Sequence, residues 1–251
     1  DIYRDVDLYE EVARVYGYDN IPSDDLSSIS NKSFVADQLL LEDNIRNILS
    51  YNGFNEHLSN SLYSEKDIKL NSFKTPIEIV NPLNQEMKYL RNDLLPGLLK
   101  AISHNENRNL EFLKIYEIGS VNYFMPELYN KAEEKREIGI VWTDNSLAHW
   151  KHPLVNDIYT IKGELKNLFN FLNFRKVGFI QKNKNDGFLN IAINNTIVGS
   201  VCRLDKKILK KYKIKNNIYY CSLSCYDIDQ LRNSKIKYKQ LSNYPSITRD
   251  I

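Results

Sequence analysis

Asp7, Glu10 and Glu11 place three carboxylates at i, i+3 and i+4 within the opening run DIYRDVDLYEEV. On a helix those positions project from one side, so the acids approach one another. Asp1 lies six residues ahead of Asp7 and reaches the same neighbourhood from an extended lead-in. Converging carboxylates repel, and a hard divalent cation that prefers oxygen ligands, Mg²⁺ above all, relieves that repulsion. The same residues also read as a helix start. Asp7-x-x-Glu10 has the form of a capping box, and acids in a first turn interact favourably with the helix dipole. Both readings stand together, since one carboxylate oxygen caps while the other ligates.

Other reactive side chains carry weaker patterns. His149 and His152 are three apart in HWKHP, but no further ligand has suitable spacing and Pro153 discourages a helix, so a loop is expected. Cys221 and Cys225 lie four apart on an expected strand, facing one way, and with Cys202 they read as core residues. His57 and His104 are isolated. The stretch KKILKKYKIK (Lys206 to Lys215) interleaves Ile208, Leu209 and Ile214 with lysines, the pattern of a short amphipathic helix with a solvated face. Contact with RNA phosphate is the alternative there. No GxSxG, P-loop, HExxH or GxGxxG motif occurs.

The elements that must carry these residues follow from periodicity. Leu8, Val12 and Val15 recur at helical spacing and Gly17 sits at a C-terminal cap, giving a helix over Asp7 to Tyr16. Ile21 to Lys32, rich in Ser and Asp, reads as a linker. Phe34 to Asn52 is the longest helical pattern, with Leu41, Ile45, Ile48 and Leu49 in one stripe. Asp93 caps a helix in which Leu95, Leu98, Leu99 and Ile102 share a face. Ile161 to Phe171 is a further helix. Strands are expected at Glu56 to Leu62, Pro76 to Val80, Leu113 to Phe124, Glu137 to Thr143 and Ile218 to Tyr226. Phe188 to Ile193 and Thr196 to Cys202 flank Asn194-Asn195, a two-residue hairpin signal. Helices and hairpins mix without regular βαβ alternation, so the fold class is α+β with a largely antiparallel sheet.

Composition sets bounds on function. The chain has 251 residues, with 34 Lys and Arg against 32 Asp and Glu and a net charge of +2, which does not mark a dedicated nucleic-acid binder. Its 42% apolar content and its lack of a long apolar run exclude a membrane span. Three Cys are too few and too odd for a disulfide framework, and a reducing cytoplasmic setting is expected. The chain opens Asp-Ile-Tyr-Arg-Asp with neither an initiator Met nor a signal peptide, so a piece of something longer is expected.

Several segments, in order, resemble one family. DLYEEVARVYGYDNIP (Asp7 to Pro22) resembles the close of the B5 domain in the β subunit of bacterial-type phenylalanine–tRNA ligase, also called phenylalanyl-tRNA synthetase. IRNILSYNGF (Ile45 to Phe54), NPLNQEMKYLRNDLLPG (Asn81 to Gly97), LKIYEIG (Leu113 to Gly119) and IYTIKGE (Ile158 to Glu164) are similar to successive segments of its catalytic-like domain. NYPSITRDI (Asn243 to Ile251) is similar to the entry of its anticodon-binding domain.

The resemblance implies residues 1–22 as the end of a B5-like domain, 23–243 as a non-catalytic core and 244–251 as the start of a truncated module. It implies a class II aminoacyl-tRNA synthetase-like antiparallel sheet flanked by helices, without the β subunit's N-terminal tRNA-binding and editing modules. Asp1, Asp7, Glu10 and Glu11 match the family's Mg²⁺ site, shared with the α subunit. The implied partners are that α subunit, in an α₂β₂ heterotetramer, and tRNA; ATP is a substrate of the holoenzyme and is bound by the α subunit.

A working class II core needs guanidinium groups to grip ATP, because their planar fork and fixed charge match phosphate oxygens. The strand LKIYEIGSVNYF carries no Arg, and no Gly follows Gly199. No catalytic residue is therefore assigned. A free-standing Mg²⁺-dependent phosphoester enzyme and an RNA-binding module centred on Lys206 to Lys239 are the alternatives.

Overall fold

Two compact units divide the chain, Asp1–Ala36 and Asp37–Ile251. A computed structural model of the protein describes residues 3–22, 37–70, 74–110, 112–125, 131–144, 146–147, 154–181 and 188–232. Asp1, most of the expected linker, His149, His152 and the expected module at 244–251 lie outside the described residues.

In the first unit, α1 spans Asp5–Tyr16, beginning two residues before the expected start. Asp7 explains the beginning: its carboxylate accepts the backbone N–H of Arg4 at 3.0 Å and of Tyr3 at 3.1 Å. Gly17 explains the end. Its φ of +93° turns the chain out of the helix while its N–H still reaches the Ala13 carbonyl. A 3-10 turn follows at Tyr18–Asn20.

The second unit begins with α2 (Asp37–Tyr51), β1 (Asn55–Glu56), β2 (Leu62–Tyr63), α3 (Glu65–Ile68), β3 (Tyr89–Leu90) and α4 (Leu95–Glu106). Next come β4 (Lys114–Met125), β5 (Lys131–Thr143), β6 (Ser146–Leu147), β7 (Leu154–Val155) and α5 (Ile158–Phe171). It closes with β8 (Val177–Gln181), β9 (Phe188–Ile193), β10 (Thr196–Arg203), α6 (Lys206–Lys211), β11 (Ile218–Ser224) and α7 (Cys225–Leu231). Seven strands form one sheet in the order β1-β4-β5-β11-β10-β9-β8. Only the short β1 runs parallel to its neighbour, so the largely antiparallel α+β expectation holds.

Strand alternation builds the core on both faces. Tyr116, Ile118, Ile138, Ile140, Cys221 and Leu223 point to one side, where α2, α5 and α7 cover them. Ile115, Val121, Val141 and Tyr220 point to the other, against α4 and α6. The hairpin joining β9 and β10 turns through Asn194 and Asn195, both at positive φ (49° and 71°), a pairing that suits the strand twist and that Asn tolerates.

Three strand expectations need correction. Glu56 to Leu62 contributes only Glu56 to the sheet, because Ser59 turns its N–H and hydroxyl to the Glu117 carboxylate instead of a neighbouring strand. Pro76 to Val80 makes no strand; Thr75 and Glu78 form single bridges on either side of Pro76, which has no N–H to donate. Ile218 to Tyr226 leaves the sheet at Ser224, whose hydroxyl accepts the Asp227 N–H and starts α7.

Candidate functional site

Of the four acidic residues expected to gather, Asp7, Glu10 and Glu11 lie on α1, and Asp1 is outside the described residues. Asp7 is the most engaged of them: besides the two backbone N–H groups, its Oδ1 accepts from the Arg4 guanidinium at 3.1 Å. The N–H of Tyr3 first, then Arg4, hold its pKa below the ordinary carboxylate value. Glu11 pairs with Arg14 at 2.5 Å, and Glu10 is exposed. Among the described residues no group of three or more His, Cys, Asp or Glu is arranged around a metal position. The donor chemistry nevertheless fits a hard cation. All three side chains offer oxygen, and the arginine pairs are on the surface, where such contacts exchange readily with a competing charge.

In the second unit, buried polar ties bring together the segments picked out by sequence. Arg91, from LRNDLLPG, donates to Glu117 of LKIYEIG at 2.5 Å, and its Nε donates to the Ser120 carbonyl at 2.6 Å. Glu117 is 1% exposed, and Ser59 supplies a further donor at 2.8 Å. A Cβ on Gly119 would sit 2.2 Å from the Arg91 guanidinium, so the family-like Glu-Ile-Gly step has a steric reason here. In α4, Pro96 lies in the first turn, where its missing N–H costs nothing, and the Leu95 N–H is taken by Asp93 at 2.9 Å.

Against β4, β5 and the start of α7 lies an open polar cleft of about 990 Å³ whose walls include Lys74, Tyr123, Arg136, Glu137 and Tyr226. A guanidinium facing this sheet could grip a nucleotide only if it were free. Arg136 is not: it makes two bonds of 2.8 Å to Glu42 of α2. That bond, outweighing the cost of burial, keeps the Glu42 pKa below its ordinary 4.5. Lys74 is likewise engaged, with Glu137 at 2.7 Å. Burial pushes the Glu137 pKa up, and the ammonium of Lys74 opposes this. Arg203 lies 3.9 Å from Asp144, Arg232 3.8 Å from Asp229, and Arg249 is outside the described residues.

The cysteines are core, as expected, though not on one strand. Cys221 is in β11 and Cys225 opens α7; both are buried. Burial pushes the thiols up, to about 12 for Cys225 and about 11 for Cys202, far from the thiolate state a zinc ligand needs. His57 donates its backbone N–H to the Tyr116 carbonyl, and His104 is exposed on α4. The basic stretch forms α6 with Leu209 buried and its lysines outward. Sequence reasoning missed the Arg91–Glu117 and Arg136–Glu42 ties; an Arg and a Glu remote in sequence give no spacing signal.

A family model described as the phenylalanyl tRNA synthetase β chain CLM domain matches residues 22–225. Curated relatives include the phenylalanine–tRNA ligase β subunits of Bacteroides fragilis, 30% identical over all of this chain and 33% of its own length, and of Clostridium tetani, 28% identical over all of this chain and 32% of its own. That of Bacillus subtilis is 28% identical, with the same coverage as the Clostridium protein. The chain thus spans about a third of the length of these relatives. Among solved structures, a pyrrolysyl tRNA synthetase from Desulfitobacterium hafniense superposes with a TM-score of 0.62 at 14% identity, covering 77% of this chain and 66% of that one. The likeness is one of fold: a class II synthetase-type sheet with flanking helices.

Proposed function

The chain belongs to the phenylalanyl-tRNA synthetase β-chain CLM-domain family, and from that premise we propose that it is the non-catalytic core of a phenylalanine–tRNA ligase β subunit. In this reading it docks on a catalytic α subunit, within an α₂β₂ heterotetramer that attaches phenylalanine to tRNA at the expense of ATP. ATP is bound by the α subunit. The observation that carries the reading is the family match across residues 22–225. The engagement of Arg91 and Arg136 by buried carboxylates supports the non-catalytic part, since both are already held by Glu117 and Glu42.

Residues 1–22 are proposed as the end of a B5-like domain, 23–243 as the core and 244–251 as the start of an anticodon-binding module. Asp1, Asp7, Glu10 and Glu11 would hold Mg²⁺ shared with the α subunit. When bound, the ion would supply positive charge that offsets carboxylate repulsion. Asp7 keeps its capping bond through Oδ2 and offers Oδ1, while Glu10 offers a carboxylate from the exposed side of α1. No described helix is long and apolar enough to cross a membrane, and we assign the assembly to the cytoplasm. The relatives are ligase subunits, not free-standing phosphoester enzymes or stand-alone RNA-binding modules.

The test is reconstitution with the cognate α subunit. A stable complex and phenylalanine charging that requires this chain are expected. No complex, charging by the α subunit unaided, or formation of phenylalanyl-adenylate by this chain unaided would reject the proposal.

A further inference from the structure

The seven-stranded sheet ends on β8, and its last edge is bare. Asn194 donates its N–H to the Lys176 carbonyl at 3.1 Å, which sets the alternation of the β8–β9 pair. Hydrogen bonding toward β9 therefore falls to Lys176, Gly178 and Ile180, while Val177, Phe179 and Gln181 turn their N–H and C=O groups outward. No described strand pairs with that edge. Edge strands are ordinarily shielded by a charge, a proline or a bulge. β8 reads Val-Gly-Phe-Ile-Gln and has none of these within it.

The sheet face beside this edge is also open. Tyr220 pairs with Cys202 and Cys202 with Phe188, so the face that α4 and α6 cover at β4, β5 and β11 continues across β10, β9 and β8. On this continuation Ile180, Phe188 and Ile197 are exposed. Gly178 and Ala192 floor a groove of about 480 Å³, with Arg175, Lys176, Ile180 and Asn194 among its walls. A Cβ on Gly178 would meet no atom within 4 Å, so the space above it is free.

Charge and shape narrow the occupant. Arg175 and Lys176 are exposed at one end of the groove and have no carboxylate partner among the described residues. On the opposite face, the Lys162 ammonium lies 5.3 Å from the centre of the Phe179 ring. From Arg175 to Lys184 the sequence holds four cations and no acid. Two copies joined edge to edge would set like charges against each other, whereas an acidic partner gains from them. The outward backbone groups recur at every second residue, a row that an extended polypeptide matches with its own amides. A nucleic acid carries no such row.

We propose that β8 and the groove beside it bind an extended, acidic peptide segment of a partner protein by strand addition. An apolar side chain of the segment sits over Gly178, and its carboxylates lie beside Arg175 and Lys176. The inference stands on the second unit and does not depend on assembly with an α subunit.

Fluorescence anisotropy tests it, with the full chain titrated into a short labelled peptide of alternating glutamate and valine. The peptide should bind, and its counterpart with lysine in place of glutamate should not. Gly178→Leu fills the groove and Gln181→Pro removes an outward N–H that the sheet does not use. Each should weaken binding about tenfold, the scale of a lost hydrogen bond or apolar contact, while melting with the parent. Arg175→Gln with Lys176→Gln should weaken binding and flatten its salt dependence. The exposed pair Lys207→Gln and Lys210→Gln on α6 should leave it unchanged. In hydrogen exchange, the Val177, Phe179 and Gln181 amides should exchange fast in the free chain and slow when the peptide is added.

No binding of the acidic peptide would overturn the proposal, as would equal binding of the basic one or undiminished binding by the folded Gly178→Leu and Gln181→Pro chains. Slow exchange of the three amides before peptide is added would show that the edge is already covered, by the chain itself or by a second copy, and would also overturn it. So would displacement of the peptide by a short RNA duplex at equal ionic strength, which would mark a general polyanion surface. Failure of reconstitution with the α subunit would leave these results untouched, so the two proposals fail separately.

Discussion

Arg91 meets Glu117 at 2.5 Å beneath the surface, tying the approach to α4 to the middle of β4. Their side chains are 9% and 1% exposed. A charge held this deep is tolerated only while its partner remains. Arg91→Ala strands the Glu117 carboxylate and should destabilise the fold by about 3–5 kcal/mol in urea denaturation. Arg91→Met combined with Glu117→Gln should cost less than the two single changes summed. Additive losses would show that the pair is not coupled.

Gly119→Ala forces a methyl group into the space of the same guanidinium, 2.2 Å from Nη2. The expected loss is about 1–3 kcal/mol, as for other overpacked sites. Adding Arg91→Met should recover part of it in a thermal melt; a Gly119→Ala chain as stable as the parent would contradict the close approach.

Glu42 should govern part of the acid sensitivity. Its folded pKa lies below the unfolded value of 4.5, first because Arg136 donates to it. Its contribution is therefore complete above about pH 4.5 and is lost as pH falls through the lowered folded value. Glu42→Gln should lose about 2 kcal/mol at pH 7, the scale of a hydrogen bond to a charged group. Its denaturation midpoint should then fall less steeply than the parent's below pH 4.5. Parallel pH profiles would exclude Glu42 as the group responsible.

Glu10→Ala with Glu11→Ala should reduce Mg²⁺ occupancy of the reconstituted assembly, read by isothermal titration or metal analysis after dialysis. α1 should keep its helicity, because its first turn is held by Asp7, which accepts the Arg4 N–H. Undiminished occupancy would remove these residues from the ligand set while leaving the subunit assignment intact.

Much of the fold is legible wherever one local rule acts alone. The stripe Leu41, Ile45, Ile48 and Leu49 is buried in α2, and Asn194-Asn195 makes its hairpin. Other elements are hidden by competing signals. The first half of β5, KAEEKR, is too polar to announce a strand, yet it pairs residue by residue with β4 from Met125↔Lys131 onward. Ser224 and Asp227 carry a capping pattern, but the aromatic run before them suggests a strand that continues to Tyr226. β8 is an edge strand interrupted by Gly178, and its short pattern is too weak to stand out. At the candidate site, the helical face of Asp7, Glu10 and Glu11 is readable from spacing. The occupation of Arg91 and Arg136 is not, since it depends on partners 26 and 94 residues away.

Those two occupied guanidiniums also constrain which substitutions the chain can accept singly. Turning Arg136 toward the open cleft would abandon Glu42 inside the protein, and turning Arg91 would abandon Glu117. Each such change therefore requires a second substitution to silence the deserted acid. The interior thus holds both guanidiniums in their present pairings, as a ratchet tooth holds a wheel.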